Sequence, residues 1–403
     1  MFSKESIPFY SIGNMKNYFF IINLVFLIFS PVFSCSDKES NPLFSLIQST
    51  DTGITFKNNL VEKYDDNILR SEYFYNGGGV SAGDINNDGL LDLYFVSNQG
   101  DNKLYLNQGN LKFKDITSIA SVEGHNGWAS GTSMIDINTD GYLDIYVSYT
   151  RSSKLTESVN QLFINKKNST FIEGAITVNA HDRGQSNQTF FLDYDLDGDL
   201  DMFVTNHLTT YPRLKDTISI LSKPSLKAGD KLYRNDELQF KDVTKEAGIH
   251  NHALGFSLGA AVGDVNQDGW PDIYIGNDFI EKDYLYINNK DGTFTDKSQD
   301  AFGHISNFSM GNDMADLNND GLLDIISLDM ANTNNFDTKT DMAGMNPEGF
   351  NKAVKAGFHQ QYMYNTLQIN MGNGQFSEVA KIAGIDATNW SWAPLVAGFD
   401  NDG

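Results

Sequence analysis

Cysteine, proline and positive charge are all scarce in this chain of 403 residues. It has one cysteine, so no disulfide can form within it, and eight prolines. Its 29 lysine and arginine residues stand against 52 aspartate and glutamate residues, which gives a formal net charge of -23. Such a chain lacks the basic surface that attracts nucleic acid, so we expect no nucleic-acid partner. Its electrostatic preference is for cations.

Sequence signatures of catalysis are missing as well. The chain contains no nucleophile elbow, phosphate-binding loop, dinucleotide fingerprint or zinc-binding helix. Only His250 and His252 are closely spaced, and they form either a metal or catalytic pair or part of a solvated turn. We predict that the protein is not an enzyme, although the separation of paired acids for glycoside chemistry is not visible in a sequence.

The N-terminal residues carry an export signal. Two lysines precede an apolar run over residues 18–33, which is too short for a membrane-spanning helix and is followed closely by Cys35. This order is typical of a bacterial lipoprotein: residues 1–34 form the signal peptide, Cys35 is lipidated, and residues 35–43 tether the protein to the membrane. The alternative is an uncleaved anchor helix with an incidental cysteine. We expect an exported lipoprotein at the outer membrane or cell surface of a Gram-negative bacterium.

A nine-residue acidic motif recurs along the rest of the chain. It first appears as DINNDGLLD at residues 84–92. Four further copies, 52 to 71 residues apart, are DINTDGYLD, DYDLDGDLD, DVNQDGWPD and DLNNDGLLD, which begin at Asp136, Asp193, Asp264 and Asp316. We number these copies loops one to five. The spacing suits a repeat of four short strands with connections of variable length.

Each acidic loop lies between two predicted strands. A glycine-rich strand such as GGGVSAG precedes it, a β-branched and aromatic strand such as LYFVSN follows it, and a hairpin such as LYLNQGNLKF completes the unit. Four antiparallel strands per unit predict an all-β fold, a β-propeller of four-stranded blades over residues 44–403. The longer connections at residues 207–231 and 329–362 are expected to project from the ring.

The spacing within each loop predicts a calcium site. Oxygen ligands at positions one, three and five of a tight turn converge on one point, and the glycine at position six permits the positive φ that closes the turn. Magnesium fits less well, and an EF-hand is excluded because it needs flanking helices and a glutamate at position twelve. A metal-free acidic turn is the alternative. The backbone carbonyl of position seven and the aspartate of position nine complete the predicted ligand set, and we expect about one calcium ion per loop. The predicted ligands are Asp84, Asn86, Asp88, Leu90 and Asp92; Asp136, Asn138, Asp140, Tyr142 and Asp144; Asp193, Asp195, Asp197, Asp199 and Asp201; Asp264, Asn266, Asp268, Trp270 and Asp272; Asp316, Asn318, Asp320, Leu322 and Asp324.

These residues resemble the FG-GAP and VCBS repeats found in the propeller of integrin α chains. The stretches TGITFKNN, KDVTKEAGI and EVAKIAGI look more narrowly like bacterial cartilage-acidic-protein-like lipoproteins, and LDMANTNN and NWSWAPL look like the large Bacteroidota members of that group. The resemblance implies seven blades when complete, a C-terminal ASPIC/UnbV domain and a link to glycan uptake at the outer membrane. A sixth copy has Gly398 at position one and ends at residue 403, so we expect the chain to be truncated there.

The predicted function is a calcium-binding cell-surface lipoprotein whose propeller binds a protein or carbohydrate ligand, as in adhesion. Loops and inserts at one face of the ring would contact the ligand. Its four tryptophans are candidate contact residues unless they pack in the core: Trp128, Trp270, Trp390 and Trp392. The alternative function is that of a propeller-fold polysaccharide lyase or hydrolase with its site in the central channel.

Overall fold

The computed structural model describes residues 43–125, 127–151, 159–208, 220–221, 223–341 and 346–399. The predicted signal peptide, Cys35 and the last residues of the sixth motif copy lie outside these ranges. The chain divides into two compact units, and one of them, Ile47–Gly398, contains all the strands and helices given below. Within the described ranges, no helix has both the length and the apolar character needed to cross a membrane.

Five antiparallel sheets of four strands each make up most of the Ile47–Gly398 unit. Blade 1 holds β1 (Val80–Gly83), β2 (Asp92–Phe95), β3 (Lys103–Asn107) and β4 (Phe113–Asp115). Blade 2 holds β5 (Trp128–Ile135), β6 (Asp144–Arg151), β7 (Gln161–Asn165) and β8 (Phe171–Glu173). Blade 3 holds β9 (Ser186–Leu192), β10 (Asp201–Asn206), β11 (Lys231–Asn235) and β12 (Phe240–Asp242). Blade 4 holds β13 (Ser257–Gly263), β14 (Asp272–Asn277), β15 (Tyr284–Asn288) and β16 (Phe294–Asp296).

Blade 5 has the same four strands but a longer insert. Its strands are β18 (Asn312–Ala315), β19 (Asp324–Ser327), β21 (Thr366–Asn370) and β22 (Phe376–Glu378). Because the strands of every blade pair in chain order, each blade is an antiparallel meander. The predicted all-β class and the four-stranded blades are confirmed, whereas the total of seven blades stays a prediction.

Short helices and one small sheet occupy the connections. β17 (Ile305–Ser306) pairs in parallel with β20 (Gln361–Tyr362). The helices are α1 (Ser49–Thr52), α2 (Thr117–Ala120), α3 (Ser298–Ala301), α4 (Asn335–Thr340), α5 (Pro347–Lys355) and α6 (Ala380–Ala383). Helices α4 and α5 lie in the long connection after β19, and neither buries a residue. These two helices therefore lie on the surface, whereas Asp329 and Gln361 near the ends of the predicted insert are buried.

Neighbouring blades contact one another through their first strands. β1 contacts β5, β5 contacts β9, β9 contacts β13, and β13 contacts β18. A side chain on Gly79 would bring its Cβ to 3.1 Å from the Cα of Gly131, and one on Gly259 would lie 3.1 Å from the Cα of Gly311. The glycine-rich first strands are thus explained by close backbone approach between blades, and their succession gives a propeller-like arrangement.

The second strands of blades 3 and 4 are buried on both faces. All six residues of β10 and all six of β14 are buried, because a neighbouring blade covers each side. One apolar cluster joins blades 1 and 2 and includes Tyr94 and Val147, and another joins blades 3 and 4 and includes Phe203 and Ile275. The core therefore lies between blades rather than within one blade.

The segment before β1 reaches residues far along the chain. Tyr73 packs beside Phe256, Leu258 and Met310, and its hydroxyl donates a hydrogen bond to Asp278 Oδ2 at 2.8 Å. Asp278 and Tyr73 are 205 residues apart in sequence. Burial raises the pKa of Asp278 to about 7. This contact links the lead-in to blade 1 with the end of the second strand of blade 4.

We expect Gly259→Val to lower the free energy of unfolding by about 1–3 kcal/mol, since the added atoms collide with backbone across a blade interface. Urea denaturation of the purified chain measures the change. Gly303→Val is the matched control, because a Cβ there meets nothing within 4 Å. Equal stability of the two variants would show that the blades do not require this close approach.

Candidate metal sites in the acidic loops

All five acidic loops lie at the same end of their blades. Each joins the first strand of a blade to the second, and the hairpin turn between the third and fourth strands lies at that end too, because antiparallel strands alternate in direction. We call this the acidic end. The connections from second to third strands, including the insert with α4 and α5, leave from the opposite end, which we call the connection end.

The first aspartate of each loop organises the turn. In loop one, Asp84 Oδ1 accepts a hydrogen bond from the N–H of Asp88 at 3.1 Å, and Oδ2 accepts one from the N–H of Gly89 at 2.7 Å. The same glycine contact recurs in the other four loops at 2.7–3.0 Å. The five position-six glycines have φ from 84° to 98°, which confirms the sequence prediction.

Positions three and five also point inward on their own loop. Asn86 Oδ1 accepts a hydrogen bond from the N–H of Asp88 at 3.2 Å, and Asp88 Oδ1 accepts one from the N–H of Leu90 at 2.9 Å. The equivalent asparagines of loops two, four and five make the same bond to position five at 2.9–3.0 Å. These oxygens keep lone pairs that can bind a cation.

Loop three provides the test of whether the residues fit a metal ion. Its position three is Asp195 instead of asparagine, and carboxylate oxygens of Asp193, Asp195 and Asp197 lie within 4.8 Å of one another. Asp195 Oδ1 is buried and has no hydrogen-bond partner in the structure. Burial raises the pKa of Asp195, and the neighbouring carboxylates of Asp197 and Asp193 raise it further. An oxygen-only cluster with an unpartnered atom fits a hard cation such as calcium.

The aspartate at position nine is fully buried in every loop. Asp92 Oδ2 accepts a hydrogen bond from the N–H of Ile85 at 3.1 Å, and Oδ1 accepts one from the N–H of Asn107 at 2.7 Å. Burial raises the pKa of Asp144 and Asp272 to about 7 and that of Asp201 to about 8. Backbone hydrogen bonds oppose these rises in pKa, whereas the other carboxylates of each loop add to them. The position-nine aspartate therefore lies close to the other acids of its loop.

An asparagine at the end of each third strand connects the loops to the blades: Asn107, Asn165, Asn235, Asn288 and Asn370. Its N–H donates to the position-nine aspartate of its own blade at 2.7–2.8 Å. In blades 2, 4 and 5 its Nδ2 also donates, at 2.8 Å, to a carbonyl in the acidic loop of the preceding blade. The sequence shows this asparagine in every hairpin, but its role depends on a neighbouring blade.

Loops two and four differ from the others by a lysine beside the acids. Lys167 Nζ lies 3.5 Å from Asp140 Oδ2, and Lys290 Nζ lies 3.3 Å from Asp268 Oδ2. The same point of the hairpin is glycine in blades 1 and 5, at Gly109 and Gly372. These lysines partly neutralise two of the five loops. The sequence prediction of each metal site used only the nine residues of the loop, so it did not include these lysines.

The other candidate residues lie in separate places. Trp128 is buried, Trp392 is half-buried beside the apolar cluster of Met310, and Trp390 is 48% exposed. His252 is buried, and burial lowers its pKa to about 4, with neighbouring His250 adding to the shift. Its imidazole is therefore neutral at physiological pH and does not belong to a solvated turn.

The fold and the loops define a propeller-like all-β repeat protein, and comparison with known proteins identifies the repeat. The family model described as FG-GAP-like repeat matches residues 84–147 and 264–327. These two segments contain loops one and two and loops four and five. The chain therefore contains FG-GAP-like repeats in these two segments.

Cartilage acidic protein 1 of Mus musculus is 36% identical over 69 residues, which is 17% of this chain and 11% of the mouse protein. The similarity therefore spans about a tenth of that relative's length. This short match supports the same type of repeat.

Three solved structures are also similar. A lectin of Agrocybe aegerita, reported for specific recognition of non-reducing terminal N-acetylglucosamine, is 15% identical with a TM-score of 0.39, over 74% of this chain and 64% of that chain. The V. cholerae biofilm matrix protein Bap1 is 13% identical with a TM-score of 0.34, over 62% and 34%. A triple arginine-to-alanine mutant of AofleA from Arthrobotrys oligospora is 9% identical with a TM-score of 0.38, over 74% and 72%.

In a buffer without divalent cations, we expect the free energy of unfolding to fall as the pH rises from about 7 to about 8.5. Folding raises the pKa of Asp144 and Asp272 to about 7 and of Asp201 to about 8. A group with a raised pKa binds its proton more tightly in the native state than in the unfolded state. Its contribution to the free energy of unfolding is therefore present at low pH and is lost as the pH rises through the pKa of the folded state. Urea denaturation across this range measures the change.

This pH window avoids the buried histidines. Burial lowers the pKa of His207 and His252 to about 4, so their contribution to stability increases with pH only up to the unfolded pKa of about 6.5. Asp230, Asp278 and Asp283, whose pKa burial also raises to about 7, contribute to the same fall. Stability that is constant or increases above about pH 7 would contradict the burial of charged carboxylates in the loops and at these three positions.

Proposed function

We propose that this protein is a calcium-binding surface lipoprotein whose blades bind a protein or carbohydrate partner. The observation that carries the proposal is the division of the blades into two ends. Five loops with inward-facing oxygens occupy the acidic end, and the exposed insert with α4 and α5 leaves from the connection end. A cation at the first end stabilises the scaffold, and the second end is free to contact a partner.

Calcium in each loop would be held by the residues at positions one, three, five and nine and by the carbonyl of position seven. Bound calcium supplies positive charge to an acidic cluster and links the first strand of a blade to the second. Loop three supports the proposal most strongly, because Asp195 Oδ1 is buried without a partner. Loops two and four already contain the ammonium groups of Lys167 and Lys290, so we expect them to bind calcium more weakly.

The proposed partner surface is at the connection end. Its insert carries short helices that bury none of their residues, and the chain after blade 5 exposes Trp390 by 48%. Exposed aromatic side chains supply much of the binding energy in protein and sugar recognition. A lipid on Cys35, which lies outside the described residues, would attach the protein to the outer membrane, where glycan capture serves uptake.

We propose binding rather than catalysis, because two buried acids outside the loops, Asp230 and Asp283, already serve the fold. Asp230 accepts hydrogen bonds from the hydroxyl of Ser257 at 2.6 Å and from the N–H of Asn206 at 2.9 Å. Asp283 accepts hydrogen bonds from the hydroxyl of Tyr274 at 2.6 Å and from the N–H of Asn277 at 2.8 Å. Burial raises the pKa of both acids to about 7, a shift explained by their positions between strands.

We expect calcium to raise the melting temperature of the chain and a chelator to lower it, since an ion that binds only the native state stabilises that state. Asp193→Ala should reduce the response to calcium, because it removes an oxygen from the cluster of loop three. Differential scanning calorimetry with calcium, magnesium or chelator measures both effects.

Asp300→Ala is the matched control for the calcium experiment. Asp300 lies in α3, outside the acidic loops, and its side chain is 81% exposed. An unchanged melting temperature of the wild-type chain with and without calcium would refute the metal assignment. An equal loss of response in both variants would show that the effect is not specific to loop three.

For the partner, we expect the chain in calcium buffer to bind defined glycans or proteins and to leave them intact. A glycan array, a surface-protein panel and an assay for polysaccharide cleavage cover these outcomes. Metabolic labelling with a fatty acid, compared between the wild-type chain and Cys35→Ala, tests the lipid attachment. Depolymerisation of a polysaccharide by the chain alone would replace the binding function with the lyase or hydrolase alternative.

A further inference from the structure

A small cavity lies at the connection end of blade 5. Its volume is about 220 Å³, and it opens between the chain after β19, helix α4, the residues before β21, and α6 with the segment that follows it. This is smaller than the roughly 300–1,000 Å³ typical of pockets for drug-sized ligands. The cavity can therefore hold one ring of a larger ligand rather than a whole cofactor.

Two opposite charges line this cavity: Lys381 and Asp386. Lys381 Nζ lies 4.3 Å from the centroid of the Tyr364 ring, and within the described ranges it has no carboxylate partner at salt-bridge distance. The carboxylate of Asp386 likewise makes neither an ion pair nor a hydrogen bond with any residue that the structure describes. The cavity therefore offers a donor and an acceptor to a ligand, with no net charge.

The wall that carries Tyr364 is held in place by part-buried polar contacts. The Tyr364 hydroxyl lies 2.6 Å from His304 Nε2, and the same nitrogen lies 3.4 Å from Glu378 Oε2. Glu378 Oε1 in turn accepts hydrogen bonds from the N–H groups of Leu367 and Ala380. Because these contacts extend into the strands of blade 5, the side of the cavity formed by Tyr364 is preorganised.

The remaining lining mixes apolar and hydrogen-bonding groups. Met330 and Met363 provide apolar surface, and Asn332 provides an amide whose Nδ2 donates to Asp341 Oδ2 at 3.2 Å. A sugar ring presents the same mixture, with C–H groups on its faces and hydroxyls around its edge. Lysine, aspartate and asparagine side chains are suited to these hydroxyls because they supply both donors and acceptors.

An exposed aromatic residue lies next to this lining in sequence. The N–H of Asn389 donates to the carbonyl of Ala331 at 2.9 Å, and Asn389 Oδ1 accepts a hydrogen bond from the N–H of Thr333 at 3.1 Å. These bonds hold the segment that carries Trp390 against the chain that lines the cavity. Trp390 is 48% exposed, so its ring is available to stack on a second sugar.

We propose that this cavity binds one neutral sugar ring of a glycan, with Asp386 accepting from its hydroxyls and Lys381 donating to them. Neutral sugars are favoured because the opposite charges of Lys381 and Asp386 sum to zero and because a chain with net charge -23 repels anionic glycans. The inference rests on the proposed carbohydrate-binding function and names its ligand class and site.

The test is titration of the full chain in calcium buffer with methyl glycosides of neutral hexoses and N-acetylhexosamines, with glucuronate and with free amino acids. We expect a neutral glycoside to bind, and Lys381→Gln and Asp386→Asn each to weaken it by about tenfold, because each loses a charged hydrogen-bonding group. Lys355→Gln and Asp300→Asn are matched controls outside the cavity that should retain wild-type affinity. Melting temperatures should be equal in all variants.

Other outcomes would overturn the inference in distinguishable ways. If the glycan array is positive but neither cavity variant weakens binding, the site is wrong and the carbohydrate-binding function stands. If glucuronate or an amino acid binds in place of neutral glycosides, the ligand class is wrong. If no glycan binds while a protein partner does, the cavity has no sugar ligand and the function is that of a protein-binding surface.

Discussion

A buried carboxylate at the ninth position of every acidic loop holds each blade together. Its two oxygens accept hydrogen bonds from backbone N–H groups of different segments, as Asp144 does from Ile137 in its own loop and from Asn165 at the end of the third strand. The amide of that asparagine then reaches the carbonyl of Ile85 in the preceding blade. The loop, the hairpin and the blade interface therefore depend on one side chain. Removing it would leave two backbone N–H groups without their partners, which is why a hydrophobic replacement does not suit this position.

The same arrangement explains the composition of the chain. Close backbone contact between first strands requires small residues, so glycine is abundant there, and burial of second strands on both faces favours aromatic and β-branched residues. The acids are concentrated where the turns are, at one end of the blades. Their mutual repulsion is reduced by backbone N–H groups in all loops and by Lys167 and Lys290 in two of them. The repeat thus combines an apolar lateral surface, which packs on its neighbours, with a polar end.

Local features of this fold were predictable from the sequence, whereas contacts between distant segments were not. The strand order, the hairpins and the positive φ of the loop glycines follow from residues that are close together in the chain. The contact of Asn165 with Ile85 spans 80 residues, and the contact of Lys167 with Asp140 joins a loop to a hairpin turn that looks ordinary in the sequence. The cavity beside Tyr364 depends on how an irregular insert folds back onto blade 5. Periodicity carries no information about such an insert, so neither the cavity nor its unpaired charges could be derived from it.

The hydrogen bond between Tyr73 and Asp278 has a consequence for how the chain assembles. Each blade is built from neighbouring strands and can form through local contacts, whereas this bond closes a loop of 205 residues. The entropic cost of closure grows slowly with length, by about 0.6 kcal/mol for each doubling, so the long separation by itself is not prohibitive. The bond does require the residues on both sides to be in their native positions, because Tyr73 packs on Phe256 and Leu258 of the blade 4 region as well as bonding to Asp278. The environment of one tyrosine therefore reports whether four successive blades have come together.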